Sequence, residues 1–444
     1  MSFLQNLPTT IKAIKKIQMS DQTKTIQVKV SRNAWLVVGL LFIVGALNYL
    51  DRTMIATMRS SIVESVPMSD AQFGLLTSVF LWVYGILSPL AGFLADRFSR
   101  SKVIIGSLFI WSLVTWLTSL ATTYNQLLAT RALMGISEAF YIPAALALIM
   151  DYHKGPTQST ATGLHIAGVM VGQSLGFIGG WIAENHTWNY AFHIFGMVGI
   201  AYAILLLFIL KDAPKAESIE NIPLNSQTEN KTKVNVKFST AIKDLFTRKS
   251  FVILFVFWGI MGVVGWMVMA WLPTYYKEHF NLSQSMAGFY ATAYLYPASI
   301  AGLLLGGFLS DRWSKKNKHA RILIPMIGLA IAAPTVFAGS YTTVLWIAIL
   351  FFLIYGLTRM FVDTNLMPIL CLTVDNRYRA TGYGILNMFA TIIGGLGIYA
   401  AGALRDSQIN LNLVYRLASL SIIICIILLW LVKNDAEKIK NKHL

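Results

Sequence analysis

Twelve apolar stretches, parted by short polar loops, decide what this chain can fold into. They run over roughly 34–58, 71–94, 103–122, 126–150, 157–182, 189–210, 250–275, 286–309, 321–339, 344–370, 379–404 and 411–433. At 1.5 Å per residue, each crosses the ~30 Å hydrocarbon layer of a bilayer as a helix. Only 13% of the residues are charged and mean hydropathy is +0.60, whereas about a quarter of a soluble domain is charged. The expected class is an all-α membrane protein with twelve transmembrane helices, and the bilayer is its first partner.

The charges fall between the stretches. A net +16 would suggest nucleic acid in a soluble protein, but here the lysines and arginines occupy loops and tails, so topology explains them. Loops after even-numbered spans carry Arg97, Arg100 and Lys102, then Lys154, then Arg312, Lys315, Lys316, Lys318 and Arg321, then Arg377 and Arg379. The opposite loops are poorer in positive charge. The positive-inside rule then places both termini in the cytoplasm. The polar, basic residues 1–33 read as a cytoplasmic tail rather than a cleaved signal, and 434–444 as a second tail. The one long polar segment, 211–249, divides six-span bundles at 34–210 and 250–433. Its stretch 218–233 has a disordered composition, and 238–245 suggests a short amphipathic helix. Cys371 and Cys425 lie in apolar segments and imply no disulfide or metal site.

The two halves repeat. Gly92-Phe-Leu-Ala-Asp96-Arg97-Phe-Ser-Arg100 follows span two, and Gly307-Phe-Leu-Ser-Asp311-Arg312-Trp-Ser-Lys315 follows span eight. Repeated halves with a site at their interface are a common plan of secondary transporters. Span four reads Gly135-Ile-Ser-Glu138 and span ten Gly356-Leu-Thr-Arg359, which makes Glu138 and Arg359 pseudo-symmetric mates.

Together these stretches resemble the major facilitator superfamily. The Gly92 to Lys102 segment is similar to its loop motif Gly-x-Leu-Ala-Asp-Arg-x-Gly-Arg-Lys, with Ser99 in place of the second Gly. Arg131-Ala-Leu-Met-Gly135 is similar to its span-four motif. Asn48-Tyr49-Leu50-Asp51-Arg52 with Glu138 resembles the anion:cation symporter branch, which includes sugar-acid/proton symporters and sialin-like carriers. The same signature with Glu138-Ala-Phe-Tyr141 also resembles spinster-type lipid carriers. The resemblance implies two pseudo-symmetric six-helix bundles. It also implies proton coupling through Asp51 and Glu138, anion binding by Arg52, and Tyr49, Tyr84, Gln173 and Asn387 as cavity residues.

The residues themselves support part of this. A charge at membrane depth costs about 2.5–3.5 kcal/mol on insertion scales, so such charges are usually functional. Asp51 and Arg131 lie at similar depths, and Glu138 is two turns deeper on the face of Arg131. Arg131 is thus able to pair with Asp51, with Glu138, or with each in turn, or to form a static brace with them. A carboxylate that loses its cation in a low-dielectric cavity takes up a proton. Arg52 and Arg359 are candidate anion clamps, since a guanidinium stays charged and offers a planar fork. Asp363, one turn from Arg359, offers it a resting partner. Asn365 suits a sugar hydroxyl or a brace between helices. His165 and His193 read as packing histidines, and Tyr84, Trp266, Tyr294 and Tyr296 as candidate pocket aromatics. Gly92, Asp96 and Arg97 with Asp311 and Arg312 read as a conformational latch.

The expected function is proton-coupled symport of a small organic anion, a hexuronate, aldonate or sialic acid being the favoured class. The alternative is a spinster-like carrier or exporter of a lysolipid or other amphiphile. No nucleophile–base set, metal-ligand cluster or phosphate loop points to an enzyme, and no cofactor is expected beyond the coupling proton. A monomer in a plasma membrane, the inner membrane of a bacterium, completes the expectation, with no nucleic-acid partner.

Overall fold

A computed structural model describes residues 32–153, 157–214, 238–375 and 378–441. The basic tail over 1–31 and the 218–233 stretch lie outside the described residues. The described residues hold twelve helical spans long and apolar enough to cross a membrane. Spans one to three are Arg32–Thr57, Asp70–Arg97 and Arg100–Thr118. Span four is Tyr124–Glu138 plus Tyr141–Tyr152, span five Gln158–Ser174 plus Phe177–Asn185, and span six Trp188–Ile209. Span seven is Lys249–His279, and span eight joins Gln284–Phe289 to Leu295–Ser314. Spans nine to twelve are Ala320–Tyr341, Leu345–Thr373, Arg379–Asp406 and Leu411–Asn441. Two short helices are added, Arg59–Ser65 and Phe238–Thr247. The end where span one begins and span twelve finishes is called the near end, and the opposite end the far end.

Three spans expected to be continuous are interrupted. In span four, Pro143 has no N–H for the carbonyl of Ala139, and the helix breaks at Ala139–Phe140. The carbonyl of Ser137, at this break, accepts instead from the Ser107 hydroxyl of span three at 2.6 Å. Span five breaks at Leu175–Gly176. Span eight passes through a π-helical turn, Tyr290–Tyr294, a feature that recurs at functional sites.

Small residues set how closely the spans approach. Gly168, Gly172, Gly176 and Gly180 recur every fourth residue of span five, and a Cβ on any of them would press on span one. Without a hydrophobic drive between helices in lipid, such stripes permit the close packing that holds spans together. The internal repeat is visible in the same contacts. Gly135 packs on the backbone of Phe80, where a Cβ would meet the carbonyl at 2.7 Å, and Gly356 packs on Leu295 in the same way at 3.0 Å. Phe80 and Leu295 each stand twelve residues before the first glycine of their loop motif. The two halves are therefore two copies of one arrangement.

The halves meet most extensively where span two lies along span eleven. Ser78 donates to the Gly395 carbonyl at 2.6 Å and Trp82 Nε1 to that of Ile392 at 3.0 Å. Thr292 of span eight donates to the Ser174 carbonyl at the span-five break, 3.1 Å away. At the near end, outside the spans, Asp212 accepts from the Ser101 amide at 2.8 Å. Partial burial pushes its carboxyl up, but hydrogen bonds from Ser99 and Ser101 outweigh that and hold it below its ordinary value.

Candidate functional site

Span one turns two charges to different neighbours. Successive residues on a helix point about 100° apart, so Asp51 faces span three and Arg52 faces spans two and four. Arg52 Nε donates to Glu138 Oε2 at 2.6 Å, with 2% and 0% of the two side chains exposed. The guanidinium also lies 4.5 Å from the ring centroids of Tyr49 and Tyr84 and 4.8 Å from that of Phe80. The Arg52 Nη2 and Glu138 Oε1 atoms are buried without a hydrogen bond. Asp51 is buried, with Oδ2 accepting from the Thr115 hydroxyl at 3.0 Å and Oδ1 unpartnered.

This arrangement corrects the pairing expected from depth. Arg131 is ion-paired with neither Asp51 nor Glu138. It is 1% exposed, its Nη1 lies 3.1 Å from the Met134 sulfur, and its Nε has no partner. Equal depth fixed the height of Asp51 and Arg131 but not the direction of their side chains. Glu138, about 10 Å along the helix from Arg131, is taken by Arg52. Phe80 stands within cation–π range of both arginines, 5.6 Å from Arg131, and was not identified from sequence. A space of about 10 Å³ lined by Arg52, Thr77, Phe80, Arg131 and Trp266 separates spans one, two and four from span seven. That is the room one water needs.

The second half contributes its charges at mid-span. Arg359 is the central residue of Leu345–Thr373, and its Nη1 lies 3.4 Å from Asp363 Oδ2. These side chains are 16% and 29% exposed, far more than the pair in the first half. The guanidinium rests on Gly265 of span seven, where a Cβ would meet Nη2 at 2.8 Å. Tyr296 is within electrostatic reach of both Arg359 and Tyr49, and Tyr383 of Tyr49. Tyr383 had no motif to mark it. Tyrosines from both halves thus stand within electrostatic reach of the two arginines, Tyr49 and Tyr84 of Arg52 and Tyr296 of Arg359.

The remaining predicted residues divide. Asn387 accepts from Trp258 Nε1 at 3.1 Å, which ties it to span seven. Asn365 is buried and donates to the Phe361 carbonyl of its own helix at 2.8 Å. Gln173 is buried beside the span-five break. His165 is held to the Leu41 carbonyl at 3.2 Å and packs on Tyr141. At the near end, the side chains of Gly92 and Asp96 lie outside the described residues, and Arg97 is exposed. Asp311 pairs with Arg321 at 3.3 Å rather than with Arg312, which is exposed. Adjacent residues diverge on the helix, whereas Arg321 enters from span nine.

A charge clasp that the sequence did not reveal closes the far end. Arg405 of span eleven binds Asp70 of span two at 2.9 Å and Glu278 of span seven at 2.8 Å. Arg59 also pairs with Asp70, and lies 3.7 Å from Glu278. Asp406 accepts from the Ser69 hydroxyl and from the amides of Asp70 and Ala71. Gln284 and Ser61 bond each other across the same seam, as do the Ser285 amide and Glu184. Among the described residues, no group of three or more His, Cys, Asp or Glu side chains is placed to hold a metal ion.

The sequence profile described as Major Facilitator Superfamily matches residues 41–398 and 266–443. The chain belongs to the Major Facilitator Superfamily. Within it, the chain is 27% identical to "Protein spinster homolog 1" of Xenopus tropicalis, over 84% of this chain and 73% of that protein. It is 22% identical to "Probable galactarate/D-glucarate transporter GudP" of Escherichia coli (strain K12), over 96% and 98%. It is 26% identical to "Probable sulfoacetate transporter SauU" of Cupriavidus necator, over 83% and 88%. Among solved structures, a bacterial homolog of the human lysosomal transporter Spinster, inward-facing and unoccupied, shares the fold. Its TM-score is 0.71, with 22% identity, over 91% of this chain and 96% of that one. The twelve spans and paired halves are those of a superfamily transporter, an integral membrane protein that moves a solute.

Proposed function

We propose that this transporter carries a small organic anion together with a proton, with sugar acids as the favoured substrate class. One observation carries the reading. Within the membrane-spanning helices three guanidinium groups, Arg52, Arg131 and Arg359, stand against three carboxyls, Asp51, Glu138 and Asp363. With all six ionised they sum to zero. An arriving anion upsets that balance in a low-dielectric space, and a proton on one carboxyl restores it. Asp51 is the natural acceptor, since among the described residues it has no ion-pair partner and one oxygen without a hydrogen bond. Glu138 is the second, as its release by Arg52 would free that guanidinium for the solute.

In this account Arg52, Arg359 and Asp363 contact the solute's charged and polar groups, and Tyr49, Tyr84, Tyr296 and Tyr383 its hydroxyls. Asn387 and Gln173 edge the site. Arg131 is a positioning residue that holds positive potential beside Asp51. The far end is the outer face, the clasp is its gate, and both termini lie in the cytoplasm. The names of the galactarate/D-glucarate and sulfoacetate relatives support an anionic solute.

A second reading is retained because the spinster relatives share 26–27% identity. On that reading the solute is an amphiphile such as a lysolipid, its phosphate taking the place of the carboxylate. Purified protein heated in the presence of D-glucarate, sialic acid or lysophosphatidylcholine separates the two. Stabilisation by an acid alone favours the first, and by the lysolipid alone the second. Proteoliposomes with an inward proton gradient should accumulate the stabilising acid, and uptake that ignores a protonophore would refute proton coupling.

A further inference from the structure

A groove of about 300 Å³ runs along the outer side of the first half, between span three and the broken span four. It is separate from the space between the halves. Its walls are apolar: Ile110, Leu133 and Ile136 are exposed along it, and Phe140 closes one side. The two hydroxyls that border it point away, that of Ser107 to the Ser137 carbonyl and that of Ser137 to the Leu133 and Met134 carbonyls. At Gly106 the floor is open, for a Cβ there would have no atom within 4 Å. At the near end of the groove stands Lys102, exposed and without an ion-pair partner among the described residues.

We infer that this groove holds one anionic phospholipid, with an acyl chain lying over Gly106 and the head-group phosphate at Lys102. Charge complementarity selects the occupant. An apolar channel that opens to the membrane takes an acyl chain of any lipid, and a lone ammonium at its head favours an anionic one. Basic pockets between membrane helices bind anionic head groups on the cytoplasmic side, which is where the near end lies if the proposed orientation holds. A chain seated here lies against the break in span four and the Ser107–Ser137 bond that bridges it. The lipid is thereby placed to stiffen the helix that carries Glu138. It is a resident of the outer surface and not the transported solute.

Two substitutions separate chain from head group. Gly106→Leu places its Cβ in open space, extends the rest of the side chain into the groove and raises helix propensity, so the protein should fold as before. Lys102→Ala leaves the groove intact. The full-length protein, purified in detergent, is titrated with dioleoyl phosphatidylglycerol or dioleoyl phosphatidylcholine, and bound lipid is counted by native mass spectrometry. The unsubstituted protein should retain one phosphatidylglycerol about fivefold more tightly than phosphatidylcholine, the effect of about one lysine near an anionic surface. Lys102→Ala should erase that preference, and Gly106→Leu should abolish retention of both lipids. Inorganic phosphate at millimolar concentration should displace neither. Equal retention of the two lipids by the unsubstituted protein would overturn the proposal, as would undiminished retention by Gly106→Leu or displacement by phosphate alone.

Discussion

Arg52 and Glu138 form a single short ion pair, 2.6 Å long, that is all but sealed from solvent and caged by Tyr49, Phe80 and Tyr84. It ties span one to the break in span four. Its energetic consequence follows from burial. Removing one partner of a buried pair leaves an uncompensated charge and costs about 3–5 kcal/mol, whereas replacing both by apolar groups of similar volume is often neutral. Glu138→Ala should therefore lower the thermal midpoint of the purified protein sharply. Arg52→Met combined with Glu138→Leu should recover most of the loss and transport nothing. A midpoint unchanged by Glu138→Ala would contradict the pair.

The far-end clasp predicts a shift in conformation. Arg405 holds Asp70 across the halves and Glu278 within the second half, so Arg405→Ala releases one direct contact between the halves and the Glu278 that supports it. A partly exposed ion pair contributes roughly 0.2–1 kcal/mol, so the closed far end should lose up to about 1 kcal/mol. Ala56, buried beside Arg52, reports the opening when replaced by cysteine. A membrane-impermeant maleimide applied from the far side should label it several-fold faster in the Arg405→Ala background. High salt should have a similar but weaker effect. Labelling at an unchanged rate would mean that the clasp does not set the equilibrium.

Arg359 and Asp363 raise a different question, because both are partly open and their contact is long at 3.4 Å. If Arg359 grips the solute, Arg359→Lys loses the planar fork. Hydrogen bonds to charged groups contribute about 1.5–3 kcal/mol, so the Kd for the acid should rise at least about tenfold with little change in thermal midpoint. Unchanged affinity with reduced stability would assign Arg359 to a structural pair with Asp363.

Much of this architecture was legible before the structure. Long apolar runs have one solution in a bilayer, and a repeated loop motif placed the two halves in register. The Arg359–Asp363 pair was legible because it lies within one helix at i, i+4. The Arg52–Glu138 pair was not, because it depends on how two helices are rotated about their axes, which depth alone leaves open. The same gap offered Arg131 to Asp51 or Glu138, where Thr115 and Arg52 stand instead. The clasp was hidden for another reason. Its members, Arg59, Asp70, Glu278 and Arg405, come from four separate places in the chain, and no motif joins them. Phe80 looks like any apolar residue of span two until two guanidinium groups are seen beside it.

Asp51 carries the central claim, that a proton accompanies the anion. Among the described residues its one side-chain hydrogen bond is to the Thr115 hydroxyl, and no cation forms an ion pair with it. Asp51→Asn keeps the shape and the hydrogen bond but removes the site for the proton. The direct measurement compares two transport modes of this variant in proteoliposomes, gradient-driven uptake of the stabilising acid and counterflow exchange at equal pH. Loss of driven uptake with exchange retained is the predicted result. Driven uptake at the unsubstituted rate would contradict it.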